Sequence, residues 1–177
     1  MKLYYTPEGI RDDLGESKMD EELRLLGYCG LYCGACYHYR SSFPESRHVL
    51  EEAVRQGKDP ERFNCGGCRG EKERMYVGCV SCAIRACAEK KGIVHCGACS
   101  SFPCDMLLEF QHDEKHVHHL DVVDSLNELT GKGPKAWLQE QEANWRCVCG
   151  LPFSWYEKRC ADCGTPLHSY GTDLLEG

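Results

Sequence analysis

Fifteen cysteines dominate the chemistry available to this 177-residue chain, and their spacing narrows what that chemistry can be. Five pairs have two residues between their cysteines: Cys33 and Cys36, Cys65 and Cys68, Cys79 and Cys82, Cys96 and Cys99, Cys160 and Cys163. A tighter pair, Cys147-x-Cys149, precedes the last of them. Thiols this close cannot staple distant segments, but two thiolates at this spacing can share one tetrahedral ion. An odd number of cysteines also leaves a closed disulfide set incomplete. The first twenty residues carry charges throughout and no apolar run of a secretory signal, and no segment approaches the roughly 18 apolar residues of a membrane span. The chain therefore reads as cytoplasmic, a reducing setting in which structural disulfides are rare. Bound metal is the expected use of the cysteines.

The C-terminal set is Cys147-x-Cys149-Gly150, nine residues, then Cys160-x2-Cys163-Gly164. This is a zinc-ribbon pattern: two turns face each other and supply four thiolates to one ion. Gly150 and Gly164 suit the positive φ such turns require, which lets backbone N–H groups point at sulfur. The single residue between Cys147 and Cys149 makes that turn tighter than usual. Trp145, Trp155 and Tyr156 are expected to pack as the ribbon's own small core.

The N-terminal set has eleven cysteines. It opens Cys29-Gly-Leu-Tyr-Cys33-Gly-Ala-Cys36 and continues with Cys65-Gly-Gly-Cys68-Arg69-Gly70. Two copies of Cys-x2-Cys-x4-Cys follow, Cys79/Cys82/Cys87 and Cys96/Cys99/Cys104, the second ending Phe102-Pro103-Cys104. Eleven is one short of the twelve ligands that three tetrahedral ions need. A histidine could complete the set: His95, beside Cys96, is the first candidate and His38, two residues after Cys36, the second. Two four-cysteine sites with three cysteines left over satisfy the same count. Three or four Zn2+ per chain are thus expected.

These motifs, over roughly residues 27–110, resemble an uncharacterised family of small cysteine-rich proteins from bacteria and archaea, known only as a domain of unknown function. The later Trp-Leu helix and ribbon look like a longer architecture within that family. The resemblance implies a metal-binding, chiefly zinc-binding, domain and implies no activity.

The competing cofactor is a [4Fe–4S] cluster in the N-terminal module, since four cysteines suit either metal. Cys29-x3-Cys33-x2-Cys36 is the cluster spacing of radical S-adenosylmethionine enzymes. Ala35 replaces the aromatic residue such enzymes usually carry there, and the chain lacks the alternating strand and helix pattern of their barrel. Catalytic histidine chemistry is also weak: in His112-Asp-Glu-Lys-His116, Asp113 stands where a zinc protease needs glutamate. His112, His116 and His119 instead read as the polar face of a helix starting near Asp105, opposite Leu107, Phe110 and Val117, with a secondary surface metal site at His112 and His116 as the alternative. No catalytic residue is assigned.

The elements that must position these groups follow from the gaps between them. Residues 1–26 read as a polar arm, with a short helix from Met19 to Leu26. Residues 27–110 form the cysteine-rich module, with one helix from Glu45 to Gln56 between Pro44 and Gly57. Residues 111–144 form a helical connector broken at Gly131 to Pro134, residues 145–170 the zinc ribbon, and residues 171–177 a tail. The fold class expected is small α+β, irregular and metal-stabilised: a zinc-knuckle module, a helical connector and a ribbon. Leu, Ile, Val and Phe together make up only about 19% of the chain, close to the limit below which chains fail to bury a core. Ion binding, worth about 10–16 kcal/mol per structural zinc in finger peptides, is expected to compensate. The net charge of −7 disfavours nucleic-acid binding. Arg69, Lys72, Arg74, Arg85, Lys90 and Lys91 lie among the thiolates and are expected to neutralise them. A protein is the expected partner.

Overall fold

The computed structural model describes residues 23–113 and 115–173. Helices carry most of the regular structure: α1 (Tyr37–Arg40), α2 (Arg47–Arg55), α3 (Val77–Val80), α4 (Ala83–Lys91), α5 (Asp105–Gln111), α6 (Val122–Lys132), α7 (Pro134–Asn144) and α8 (Tyr170–Asp173). Pro44 opens a 3-10 turn, Pro44–Ser46, that leads into α2, so the helix expected from Glu45 begins one turn later. Buried Ser46 fixes this entry by accepting from Arg40 Nη2 at 2.8 Å and Nε at 3.2 Å. The break between α6 and α7 falls on Gly133, with Pro134 at the first position of α7, where its missing N–H costs nothing.

The interior is organised by α6. Val122, Leu126 and Leu129 recur at i, i+4 and i+7, form one stripe and are fully buried. Trp137 of α7 meets Tyr32 edge-on, with ring centroids 6.3 Å apart. Leu107 of α5, Ile84 of α4, Leu26, Ala35 and Trp155 close the same cluster. An apolar core therefore exists, as small as the composition requires. The expected arm and its helix fall outside the described residues except for 23–26, where Leu23 and Leu26 are core residues.

Extended structure among the described residues is limited to three isolated antiparallel bridges: Leu26 with Tyr32, Arg146 with Pro152, and Arg159 with Pro166. Each closes a short loop around cysteine, and loops this tight leave no room for a ladder to grow. The β component of the expected α+β class thus reduces to these clasps on a helix-rich fold.

Two expectations about the connector and ribbon are corrected. The helix expected from Asp105 through His119 ends at Gln111. Gln111 turns its side-chain oxygen to accept the Val123 N–H at 3.0 Å, which closes the loop onto α6. A separate 3-10 turn, Val117–His119, then carries His118 and His119 inward. Secondly, Trp155 and Tyr156 do not form the ribbon core. Trp155 enters the main interior, where its backbone N–H donates to the Ala35 carbonyl at 3.0 Å. Tyr156 packs on Tyr37, and Glu157 Oε1 lies 2.5 Å from His48 Nε2. The two C-terminal cysteine turns are filled instead by Phe153 and Leu167 between Cys147 and Cys160, with Trp145 against Phe153 at 5.4 Å.

Candidate metal centres

The C-terminal site is built on two clasped turns. In the first, the Arg146–Pro152 bridge brings the Cys147 N–H to the Leu151 carbonyl at 2.9 Å, and Gly150 N–H to the Cys147 carbonyl at 2.8 Å. In the second, Cys160 N–H reaches the Thr165 carbonyl at 2.9 Å and Gly164 N–H the Cys160 carbonyl at 3.0 Å. Gly150 (φ 92°) and Gly164 (φ 71°) hold the left-handed backbone expected of them. The result gathers Cys147, Cys149, Cys160 and Cys163, whose sulfurs all lie within 4.8 Å of one another. Sulfur pairs across the turns stand at 3.4 Å (Cys147 to Cys163) and 3.5 Å (Cys149 to Cys160).

Electrostatics in this cluster are divided. The Thr165 hydroxyl and N–H draw Cys163 down to about 6. Cys149 is bonded by the Leu151 N–H, yet desolvation and the neighbouring sulfurs push it up to about 12. Four thiolates this close repel, and a divalent cation among them is what would let all four ionise together. The donor set and its N–H groups fit a soft or borderline tetrahedral ion.

The same turn occurs a second time, at Cys29. Leu26–Tyr32 matches Arg146–Pro152 residue for residue in its bonding: Gly27 N–H to Leu31 carbonyl at 2.9 Å, and Gly30 N–H to Gly27 carbonyl at 3.0 Å. Gly30 has φ 88°. The sulfur of Cys29 accepts from the Leu31 N–H just as Cys149 accepts from Leu151. The sequence signal for this match, Cys-Gly-Leu at both 29–31 and 149–151, was available and is missed by looking only at Cys-to-Cys spacing. An N–H two residues on also bonds the sulfurs of Cys36, Cys65 and Cys99, a recurring arrangement that places positive dipoles against sulfur.

The eleven N-terminal cysteines fall into neighbourhoods in which thiolate charges act on one another. Burial pushes Cys29 and Cys33 well up, and Cys68 adds to both; Cys82 acts on Cys29. Burial takes Cys36 up to about 12 with Cys65 contributing, and burial raises Cys79 with Cys68, Cys36, Cys65 and Cys82 adding to it, so this neighbourhood adjoins the first. Cys96 is raised to about 12 by burial, then by Cys104, Cys87 and Cys99. Among the described residues these N-terminal sulfurs are not gathered in groups of three or more within 4.8 Å, unlike the ribbon. The two Cys-x2-Cys-x4-Cys copies also differ in fold: α4 starts directly after Cys82 and contains Cys87, whereas α5 starts after Cys104.

Both candidate histidines are buried with one ring nitrogen unpartnered, Nε2 of His38 and Nδ1 of His95. His38 stands beside the second neighbourhood. Its carbonyl accepts from Cys65 N–H at 3.3 Å and its own N–H bonds the Cys36 sulfur. Its ring stacks on Tyr76 at 3.8 Å and lies 4.7 Å from Phe63. Of the basic residues, Lys91 donates to the Cys99 sulfur at 3.2 Å, as charge neutralisation requires. Arg69 is spent differently: it donates to the Leu26 and Val94 carbonyls and covers the Tyr28 ring. Arg85 bonds Met75 Sδ and pairs with Glu89, and Arg74 reaches Asn64.

A second ligand group outside the cysteines consists of Asp113, His116 and His119, with one ligand atom of each within 4.8 Å of the others. The helix expected there grouped His112 with His116 and His119; because α5 stops at Gln111, Asp113 takes the place of His112. No other carboxylate or histidine groups of this kind occur among the described residues.

Together these features define a small, helix-rich, cysteine-rich protein whose cysteine clusters could hold metal ions. Residues 25–109 match the model of a family described as Protein of unknown function (DUF3795), which shows the resemblance read from the motifs and takes in all eleven N-terminal cysteines. No curated protein and no solved structure matches the chain. Among the described residues no helix is long and apolar enough to cross a membrane.

Proposed function

We propose that this is a zinc-binding protein whose structural metal sites hold a surface for a protein partner. The observation that carries the reading is the ribbon: four sulfurs within 4.8 Å on two clasped turns, each turn aiming backbone N–H groups at sulfur. The repeated turn at Cys29 extends the same chemistry to the N-terminal module. There the neighbourhoods support three sites, Cys29/Cys33/Cys68/Cys82, Cys36/Cys65/Cys79 and Cys87/Cys96/Cys99/Cys104. His38, rather than His95, supplies the missing ligand of the three-cysteine set, because it alone is bonded into that neighbourhood through its backbone. Apolar side chains project at the turns: Val148, between Cys147 and Cys149, is 89% exposed, and Val77 and Val80 flank Cys79 in the open. Such tips suit a protein contact.

A second reading, an iron–sulfur cluster for electron transfer or redox sensing, is favoured by one observation. The sulfurs of Cys29, Cys33, Cys68 and Cys82 share a buried region without closing to 4.8 Å, and a four-iron cluster spaces its cysteines more widely than a single ion does. Elemental analysis of the full chain, purified with and without oxygen, separates the two. Four zinc per chain and a colourless solution are expected, with one zinc lost in C149S/C163S and one in H38A but none in H95A. Brown protein containing iron and acid-labile sulfide would replace the zinc reading for the N-terminal module.

A further inference from the structure

The loop between α5 and α6 carries chemistry that the thiolate sites do not use. Its cluster consists of Asp113, His116 and His119. Asp113 Oδ2 lies 2.7 Å from His116 Nδ1, and Asp113 Oδ1 accepts the Lys115 N–H at 3.1 Å, so the carboxylate is held against the first ring. The His116 and His119 rings run nearly parallel, 25° apart in plane and 5.0 Å between centroids. His119 is only 8% exposed and is seated on Phe110 at 3.7 Å. Its buried Nδ1 has no hydrogen-bond partner. A buried imidazole nitrogen left empty in this way is costly unless something fills it. The third histidine, His118, faces elsewhere: Nδ1 bonds the Tyr156 hydroxyl and its ring stacks on Trp155 at 4.1 Å.

We propose that Asp113, His116 and His119 bind a divalent first-row transition-metal ion in a site separate from every cysteine cluster. Two imidazoles and one carboxylate select borderline ions such as Zn2+, Co2+, Ni2+ or Fe2+ over Mg2+ and Ca2+, which prefer all-oxygen shells. Stacking on Phe110 fixes the orientation of the His119 ring. Three protein ligands leave coordination positions for water or another exchangeable ligand. Asp113 and His116 are open to solvent, which makes this ion exchangeable, in contrast to ions enclosed by thiolates.

The test is a Co2+ titration of the full chain after its cysteine sites are filled with zinc. One additional equivalent is expected to bind with weak visible bands and without the intense near-ultraviolet charge transfer of thiolate ligation. EDTA should remove it without changing the circular dichroism. H116N and D113N, with circular dichroism matched to the wild type, should weaken this binding by at least about 10–100-fold. Paramagnetic broadening should also reach the His119 ring in the wild type. The proposal is overturned if Co2+ enters only with thiolate charge-transfer bands, if no extra equivalent binds, or if H116N and D113N titrate like the wild type.

Discussion

The two matched turns allow a strain-free comparison of packing. Gly30 and Gly150 have nearly the same φ, 88° and 92°, in turns with the same hydrogen bonds. An alanine at either position bears a left-handed backbone cost of about 1–2 kcal/mol, partly offset by about 0.4–1 kcal/mol of reduced unfolded-chain entropy. The surroundings differ. A Cβ on Gly150 meets nothing within 4 Å, whereas one on Gly30 would stand 2.7 Å from Leu126 Cγ, 3.0 Å from Leu126 Cδ2 and 3.3 Å from the Val122 carbonyl oxygen. Leu126 is fully buried and cannot retreat, and the Gly30 carbonyl is pinned by Ser125 Oγ at 2.7 Å. Overpacking of this kind costs a further ~1–3 kcal/mol. G30A should therefore lose about 1–3 kcal/mol more than G150A, a substantial part of an ordinary domain's roughly 5–15 kcal/mol. Urea unfolding of both variants, zinc-loaded at equal free zinc and followed by circular dichroism, measures the difference. Equal losses with unchanged m-values would refute the docking of the Cys29 turn on α6.

Three further outcomes follow from named contacts. In metal-stripped, reduced protein Cys163, held down to about 6 by Thr165, should be the first ribbon cysteine alkylated by iodoacetamide at pH 7, and zinc should protect it; peptide mapping reads both effects. Burial on Trp155 pushes His118 down to about 3, so the native ring is neutral where the unfolded one begins to charge. Its contribution is complete above about pH 6.5 and is lost as pH falls from there toward 3, by roughly 5 kcal/mol at most. H118F, at matched zinc, should flatten the fall in urea stability between about pH 6.5 and 4.5. Glu157 holds His48 with one oxygen and the Ser154 N–H, at 2.6 Å, with the other. E157Q should lower stability by about 1–3 kcal/mol, with thermal unfolding as the readout.

The C-terminal cysteine cluster was legible because its four sulfurs are local in sequence. Two short turns and their glycines define the site, and the bridges at Arg146 and Arg159 only close what the spacing already determines. How the N-terminal cysteines approach one another was not legible, because sulfurs distant in sequence become neighbours only through α4, α5 and the core. Cys82, spaced with Cys79, acts on Cys29 as well as on Cys79. His95 is adjacent to Cys96 in sequence, whereas the backbone of His38 bonds Cys36 and Cys65, contacts that spacing does not encode. Periodicity likewise continued α5 through His119, since nothing local announced that Gln111 would turn back to Val123. Trp155 was misplaced for a related reason: a hairpin aromatic can fill its own ribbon or a neighbour's interior, and the contact with Ala35 decides for the latter.

X-ray absorption at the metal edge of the purified full chain bears most directly on the cysteine clusters. A zinc edge with a sulfur shell near about 2.3 Å, the usual Zn–S distance, that weakens when Cys149 and Cys163 become serine is the predicted result. A chain free of metal in its folded state, or a zinc shell of nitrogen and oxygen alone, would contradict it.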